Sequence, residues 1–177
     1  MAKTFTKEDY NSGDGMLTSV WGPSMWHTLH TISFNYPVNP TQKQKKEYFI
    51  FFNSLGNILP CKYCRENLKK NLKCNPLTMN TMKSRKTLSL WVYKLHEIIN
   101  KMLGKKSGLS YIDVRDRYEN FRSRCLKKSK KEVKKTKIES GCTKPLYGNK
   151  SKCVLNIVPK NTKCKTFKID KRCIIRR

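Results

Sequence analysis

Acidic residues are scarce in this chain. Twelve Asp and Glu face 39 Lys and Arg across 177 residues, a formal net charge of +27. No run of 18 apolar residues occurs, so no transmembrane helix is expected. Residues 1–15 are polar, carry Glu8, Asp9 and Asp14, and lack the apolar stretch of a secretory signal. An export compartment is therefore not indicated, and a cytoplasmic setting is expected. Strand-like alternation is missing before residue 125, which argues against a βαβ unit there. Residues 126–177 contain no histidine and no closely spaced cysteine pair. A zinc site is not expected in that stretch, and no metal site is assigned.

What the chain does have is unevenly spread. Residues 1–125 carry 21 basic and 9 acidic side chains, whereas residues 126–177 carry 18 and 3. The division expected is a flexible lead-in over 1–20, a folded domain over 21–125 and a basic, Lys- and Cys-rich tail over 126–177. Hydrophobic residues make up 37% of the whole, and the core must come from the middle stretch. Eight cysteines without a secretion signal point to catalysis, metal binding or redox chemistry rather than to a secreted framework.

Helical periodicity dominates the middle stretch. Trp26, Leu29, His30 and Phe34 share one face of a helix from about Ser24 to Tyr36, which Tyr36-Pro37 ends. Thr41 can cap a second helix running to about Ile58. Pro60 separates it from a third, opening at Cys61 and running to about Lys73. The strongest helix is predicted over 84–103, with Leu88, Trp91, Val92, Leu95, Ile98, Ile99, Met102 and Leu103 as a broad buried face and Gly104 as its C-cap. Ser110 and Asp113 resemble a capping box before a short fifth helix presenting Tyr111, Val114, Tyr118 and Phe121. The fold class expected is all-α: a four-helix bundle with a short fifth helix, followed by an irregular basic, cysteine-containing tail. In that tail, Val154–Val158 and Thr166–Ile169 are candidate short strands.

Cys61-Lys62-Tyr63-Cys64 follows Pro60 at a helix start. Two cysteines one turn apart can close a small disulfide ring, and free N–H groups at a helix N-terminus favour a thiolate. An unperturbed thiol, pKa about 8.5, is only about 3% ionised at pH 7; lowering it to about 7 is worth roughly 2 kcal/mol. Lys62 and Arg65 push in that direction. A lone C-x-x-C is also half of a zinc site. Elsewhere, His30 lies one turn after Trp26, and His96 and Asn100 are one turn apart on the long helix. Such inward polar groups either satisfy one another in the bundle or line a slot for a flat heterocycle.

Three motifs occur in order: Trp21-Gly22-Pro23-Ser24-Met25-Trp26-His27-Thr28-Leu29-His30, then Cys61-Lys62-Tyr63-Cys64, then Trp91 through Lys105 (WVYKLHEIINKMLGK). Together they resemble the Erv/ALR family of FAD-linked sulfhydryl oxidases over roughly residues 20–122. The Trp-Gly-Pro opening is similar to members carried by large DNA viruses. The resemblance implies a four-helix bundle holding FAD, commonly as a homodimer. It gives Cys61 and Cys64 the catalytic role, Cys61 forming the mixed disulfide with substrate and Cys64 facing the flavin. It gives Gly22, Trp26, His30, Tyr93, His96, Asn100, Leu103, Lys105 and Tyr118 contacts with FAD. Protein dithiols would be the substrates, oxygen the electron acceptor and hydrogen peroxide the product. For a viral chain the setting would be host cytoplasm and virion.

Some positions depart from the family pattern. Glu97 stands where the family usually has Asn. Ser110 stands near one cysteine of a second structural disulfide, so that bridge is expected to be absent. Cys74 lacks its family partner. Cys125 is expected either unpaired, bridged to a tail cysteine or bridged across a dimer. Cys142, Cys153, Cys164 and Cys173, at spacings of 11, 11 and 9, offer a shuttle pair or structural disulfides. Two rival readings stand beside the oxidase: a flavin-free thiol exchanger, and a basic nucleic-acid-binding or packaging protein with a structural C-x-x-C. The tail lysines suit weak, non-specific nucleic-acid attraction. Tyr147 and Phe167 are too few for base stacking.

Overall fold

A computed structural model describes residues 5–126, 141–163 and 168–173. The chain divides into two compact units, Met1–Tyr111 and Ile112–Arg177. The first is helical: α1 Lys7–Asn11, α2 Thr18–Asn35, α3 Gln42–Ile58, α4 Lys62–Cys74 and α5 Arg85–Met102, with a 3₁₀ turn at Thr81–Lys83. α2 packs on α5, α3 on α4, and α4 on α5, so the expected four-helix arrangement is formed by α2–α5.

Three of the helix starts are closed by capping boxes. Thr41 and Gln44 form a capping box at α3, and Ser84 and Thr87 form another at α5. α1 is closed by a Thr6–Asp9 box, so the lead-in holds a helical turn before its glycines. α2 begins at Thr18, six residues ahead of the predicted Ser24, and carries Pro23 inside it. Pro23 withholds one backbone donor, and the Ser24 hydroxyl donates to the Trp21 carbonyl at 2.8 Å one turn back. α5 ends as the sequence implies. Gly104 takes φ +66°, its N–H donates to Lys101 O at 3.1 Å, and Lys105 N–H donates to Asn100 O at 2.8 Å. Those two bonds make a Schellman cap, which needs a left-handed residue at its corner.

The core lies between α2, α3, α4 and α5. Phe52, Met82, Leu88 and Val92 are each at most 1% exposed, surrounded by Leu29, Leu55, Leu68, Trp91 and Leu95. Trp91 Nε1 donates to Asn75 O at 3.1 Å, and Asn75 Nδ2 returns a bond to Trp91 O at 3.3 Å. Tyr36, wholly buried at the end of α2, donates its hydroxyl to Met82 O at 2.9 Å. Arg85 Nε donates to the Tyr36 carbonyl. These bonds hold the start of α5 against the end of α2, which fixes how the two site-bearing helices face each other.

The second unit contains most of α6, Tyr111–Glu119, and a two-stranded antiparallel sheet of β1 Ser123–Leu126 and β2 Gly141–Pro145. Ser123 pairs with Pro145 and Arg124 with Lys144, with a register shift before Leu126 meets Gly141. Phe121 lies just beyond α6. Cys125 is disulfide-bonded to Cys142, across the hairpin. Pairing with a tail cysteine is therefore the arrangement of the three that the sequence left open. The sheet corrects the expectation about strands: β1 starts before residue 125, and Val154–Val158 forms no strand. Val154, Leu155 and Ile157 are 66–76% exposed, so among the described residues their apolar run has no partner strand to bury against. Lys168–Asp170 is irregular. Thr166, Phe167, Cys164 and the lysine run 127–137 lie outside the described residues. Cys74, Cys153 and Cys173 carry free thiols.

Candidate redox site

Cys61 and Cys64 form a disulfide with their Cα atoms 5.1 Å apart. Cys61 is the N-cap of α4, in extended conformation, and its Sγ accepts the Cys64 N–H at 3.2 Å. The sulfur takes the place of the usual capping oxygen and meets one of the helix's orphan donors. Both cysteines are half-buried. A disulfide in this position is suited to thiol exchange, because a helix N-terminus favours a thiolate at its cap.

The chain before α2 crosses directly over this disulfide. Gly15 pairs with Cys61 in an antiparallel bridge. Met16 N–H donates to Pro60 O at 2.7 Å, and Lys62 N–H to Asp14 O at 2.8 Å. Gly15 sits at φ +104°, and a Cβ there would lie 2.6 Å from Pro60 O and 2.8 Å from Cys61 Cα. Only glycine fits both the backbone angle and the space. The Arg65 guanidinium donates to Leu59 O at 2.7 Å and Gly13 O at 3.4 Å, so its charge ties the crossing segment to the α3–α4 turn. Trp21 Nε1 donates to Met16 O at 3.0 Å. Thr18, the first residue of α2, places its Oγ1 3.8 Å from Cys61 Sγ and 3.9 Å from Cys64 Sγ. Sequence reasoning took Gly13 and Gly15 only as helix breakers and did not single out Thr18. Its contact with Cys61 spans 43 residues, and no local pattern announces it.

A second group of site residues gathers where α2 faces α5. His30 Nε2 and His96 Nδ1 are 3.0 Å apart, sharing one hydrogen bond. Trp26 stacks flat on the His96 ring, centroids 3.9 Å apart and planes within 4°. Rings continue from His30 to Phe34 at 6.3 Å, Phe34 to Tyr111 at 6.2 Å and Tyr111 to Tyr93 at 5.8 Å. The Tyr93 hydroxyl donates to Leu109 O at 2.8 Å. Burial pushes His30 down to about 3, with the His96 and His27 charges adding to it. Burial likewise pushes His96 down to about 4; Glu97 opposes the shift and Lys105 reinforces it. Both imidazoles are neutral at pH 7, so the pair shares a proton without carrying charge.

The remaining positions are placed as follows. Gly22 is buried in α2, and a Cβ there would meet only Thr18 Cγ2 at 3.6 Å, an ordinary contact. Asn100 Nδ2 donates to Glu97 Oε1 at 3.0 Å, so the Glu97 carboxylate is engaged by the amide one turn on. Leu103 is the C-cap of α5 and 55% exposed, and Met102 is 49% exposed, which corrects the expectation that both lie on the buried face of this helix: its last turn reaches past the core. Lys105, exposed, follows Gly104. In the second unit, Tyr118 packs edge-on against Phe121 at 5.7 Å, and burial pushes its phenol up to about 12. The first unit thus brings Trp26, His30 and His96 together and joins Tyr93 to them through Tyr111 and Phe34. Tyr111 and Phe34, inward in the periodicity, had no site role in the sequence reading.

A helical bundle carrying a disulfide at a helix N-terminus, beside facing helices rich in aromatic rings and neutral imidazoles, has the layout that thiol–disulfide redox chemistry requires. The Erv1/Alr family model matches residues 23–121, more than half of the chain. The chain belongs to the Erv1/Alr family. It is similar to a probable FAD-linked sulfhydryl oxidase of Acanthamoeba polyphaga mimivirus, 40% identical over 86 residues, covering 49% of this chain and 60% of that one. It is also similar to the mitochondrial FAD-linked sulfhydryl oxidase ERV1 of Saccharomyces cerevisiae, 34% identical, covering 48% of this chain and 43% of that one. The chain therefore spans about half the length of these curated relatives. Among solved structures, the FAD-binding domain of that yeast Erv1 superposes with a TM-score of 0.53 at 30% identity, covering 58% of this chain and 94% of that chain. Among the described residues, no helix is long and apolar enough to cross a membrane.

Proposed function

We propose that the chain is a FAD-dependent thiol oxidase that makes disulfides in protein substrates and passes the electrons to oxygen, giving hydrogen peroxide. The observation that carries the reading is the Cys61–Cys64 disulfide capping α4 within a chain whose relatives are named FAD-linked sulfhydryl oxidases. A substrate thiolate attacks Cys61 Sγ and forms the mixed disulfide. The Cys61–Cys64 bond breaks, and Cys64 Sγ leaves with the electron pair. The second substrate thiol, losing its proton, then displaces Cys61 and completes the substrate disulfide.

FAD, when bound, supplies the two-electron acceptor for the Cys61–Cys64 dithiol and the route to oxygen. The residues present fit such a group. Trp26, His30 and His96 offer flat rings and uncharged nitrogen atoms. Asn100 offers an amide, Gly22 leaves the α2 backbone open to close approach, and Lys105, with Lys101 or Lys106, offers positive charge for phosphates. Tyr93 and Leu103 complete the set from α5. The assignment of Tyr118 rests on the resemblance alone. The Glu97 carboxylate, held by Asn100, is accounted for without a cofactor contact.

The proposal extends to a homodimer, as the family resemblance implies, and to a cytoplasmic or virion setting, which the mimivirus relative supports. The basic C-terminal third gives weak, non-specific attraction to polyanions such as nucleic acid. The test is the visible absorption spectrum of the purified protein. A flavin spectrum that bleaches with dithiothreitol under argon and returns in air is the expected result. A protein that stays colourless after incubation with FAD overturns the reading in favour of a structural C-x-x-C.

A further inference from the structure

We propose that Thr18 is a catalytic hydrogen-bond donor in thiol exchange, its one hydroxyl serving Cys64 Sγ and Cys61 Sγ in turn. Thr18 Oγ1 lies almost equally far from the two sulfurs, 3.8 Å from Cys61 and 3.9 Å from Cys64. A rotating hydroxyl can aim its proton at either one without moving its oxygen. Cys61 Sγ already has the Cys64 N–H at 3.2 Å. Cys64 Sγ gains most from a hydroxyl donor, because it is the first leaving group.

The position of that oxygen is built into the fold. Thr18 ends the segment that crosses the disulfide, and the crossing is pinned at Gly13, Asp14, Gly15 and Met16 by Arg65, Lys62 N–H, Cys61 and Pro60. The Trp21 indole holds Met16 from the α2 side. Gly15 lets the backbone lie flush on the Pro60–Cys61 peptide. The charged residues of these segments are Asp14 on the crossing segment and Lys62, Arg65, Glu66, Lys69, Lys70 and Lys73 on α4. Arg65 is occupied by the Leu59 and Gly13 carbonyls, so hydrogen-bond donors rather than its charge meet the sulfurs.

The chemistry uses the donor twice. When a substrate thiolate bonds to Cys61 Sγ, the Cys61–Cys64 bond breaks and the electron pair stays on Cys64 Sγ, which Thr18 stabilises. When the second substrate thiolate displaces Cys61, the pair moves to Cys61 Sγ, which the Cys64 N–H and Thr18 then share. Two electrons pass from substrate to the cysteine pair, and substrate leaves as a disulfide.

The inference deepens the thiol-oxidase reading and rests on it. The test equilibrates the full-length flavoprotein with dithiothreitol without oxygen over a range of pH, then traps Cys61 and Cys64 with a maleimide and quantifies them by mass spectrometry. Thr18→Val is expected to slow exchange and to shift the equilibrium toward the protein disulfide, by about fivefold above the cysteine pKa and progressively less as pH falls, because the hydroxyl stabilises the thiolate and not the thiol. Thr18→Ser is expected to stay within about twofold of the unmodified protein, because it keeps the hydroxyl. A Thr18→Val protein with unchanged equilibrium and pH profile overturns the assignment, as does a Thr18→Ser protein shifted as far as Thr18→Val. Should Thr18→Val lose helical circular dichroism, Thr18→Ala must give the shift instead. If the unmodified protein does not exchange with dithiothreitol at all, the oxidase reading itself has failed.

Discussion

Cys61–Cys64 and Cys125–Cys142 are both disulfides, three and 17 residues apart in sequence. The first is half-buried at a helix N-terminus, with a backbone N–H on one sulfur and a hydroxyl between the two. The second joins two exposed residues of neighbouring strands in a two-stranded sheet. What differs is the stability of the product. A thiolate released at Cys61 or Cys64 is met by donors already in place, whereas the hairpin bridge joins strands and shortens the loop available to the unfolded chain. Both bonds are S–S; the neighbours decide which one is equipped for exchange.

The largest effect should come from Cys64→Ser, which should lower oxygen consumption with dithiothreitol by at least about 100-fold while leaving helical circular dichroism intact. Retained turnover would erase the distinction. Replacing Cys125 and Cys142 together by Ser should leave that turnover within about twofold. It should cost about 3 kcal/mol of stability in the second unit, by the loop-closure argument. Urea unfolding followed by hydrogen exchange in β1 and β2 would read it. A loss of turnover as large as that of Cys64→Ser would instead give the hairpin bridge a redox role.

Acid should separate the two regions next. His30 and His96 are neutral in the fold and titrate near 6.5 when unfolded, so below that pH the unfolded chain binds protons that the fold refuses. Stability is full above about pH 6.5 and falls as pH drops toward their folded values. At pH 5 the loss is up to about 2 kcal/mol per histidine. Urea midpoints at pH 7 and pH 5 would show it for the first unit, and His96→Gln should flatten the slope. An unchanged midpoint would mean that the histidines are not held neutral. The smallest expected effect is Glu97→Gln, which keeps a carbonyl acceptor for Asn100 and should alter FAD affinity, measured by flavin fluorescence, by no more than a few-fold.

Much of the first unit was legible. Pro60 before Cys61, the Tyr36-Pro37 stop and Gly104 after the last apolar turn of α5 are local signals, and each fell within a residue or two of an element end. Periodicity put Trp26 and His30 on one inward face and His96 on the inward face of another helix and left open whether they would meet; the structure joins them. What could not be read depended on distant partners. Thr18 gains its meaning from sulfurs 43 and 46 residues away. β1 needs β2, which the register aligns across a long gap. Val154–Val158 has the composition of a strand but, among the described residues, no strand beside it, and composition cannot supply a partner.

The Schellman cap at Gly104 fixes more than the end of α5. It acts as a ruler for charge delivery. The cap commits the chain to leave the helix at one angular position, and Lys105 is the next residue out. One extra residue ahead of Gly104 would turn that exit by about 100° around the helix axis and carry the ammonium group away from the face that bears His96. The length of α5, counted from its Ser84 box to its glycine, therefore encodes where positive charge is presented, and the lysine only fills an address that the helix has already written.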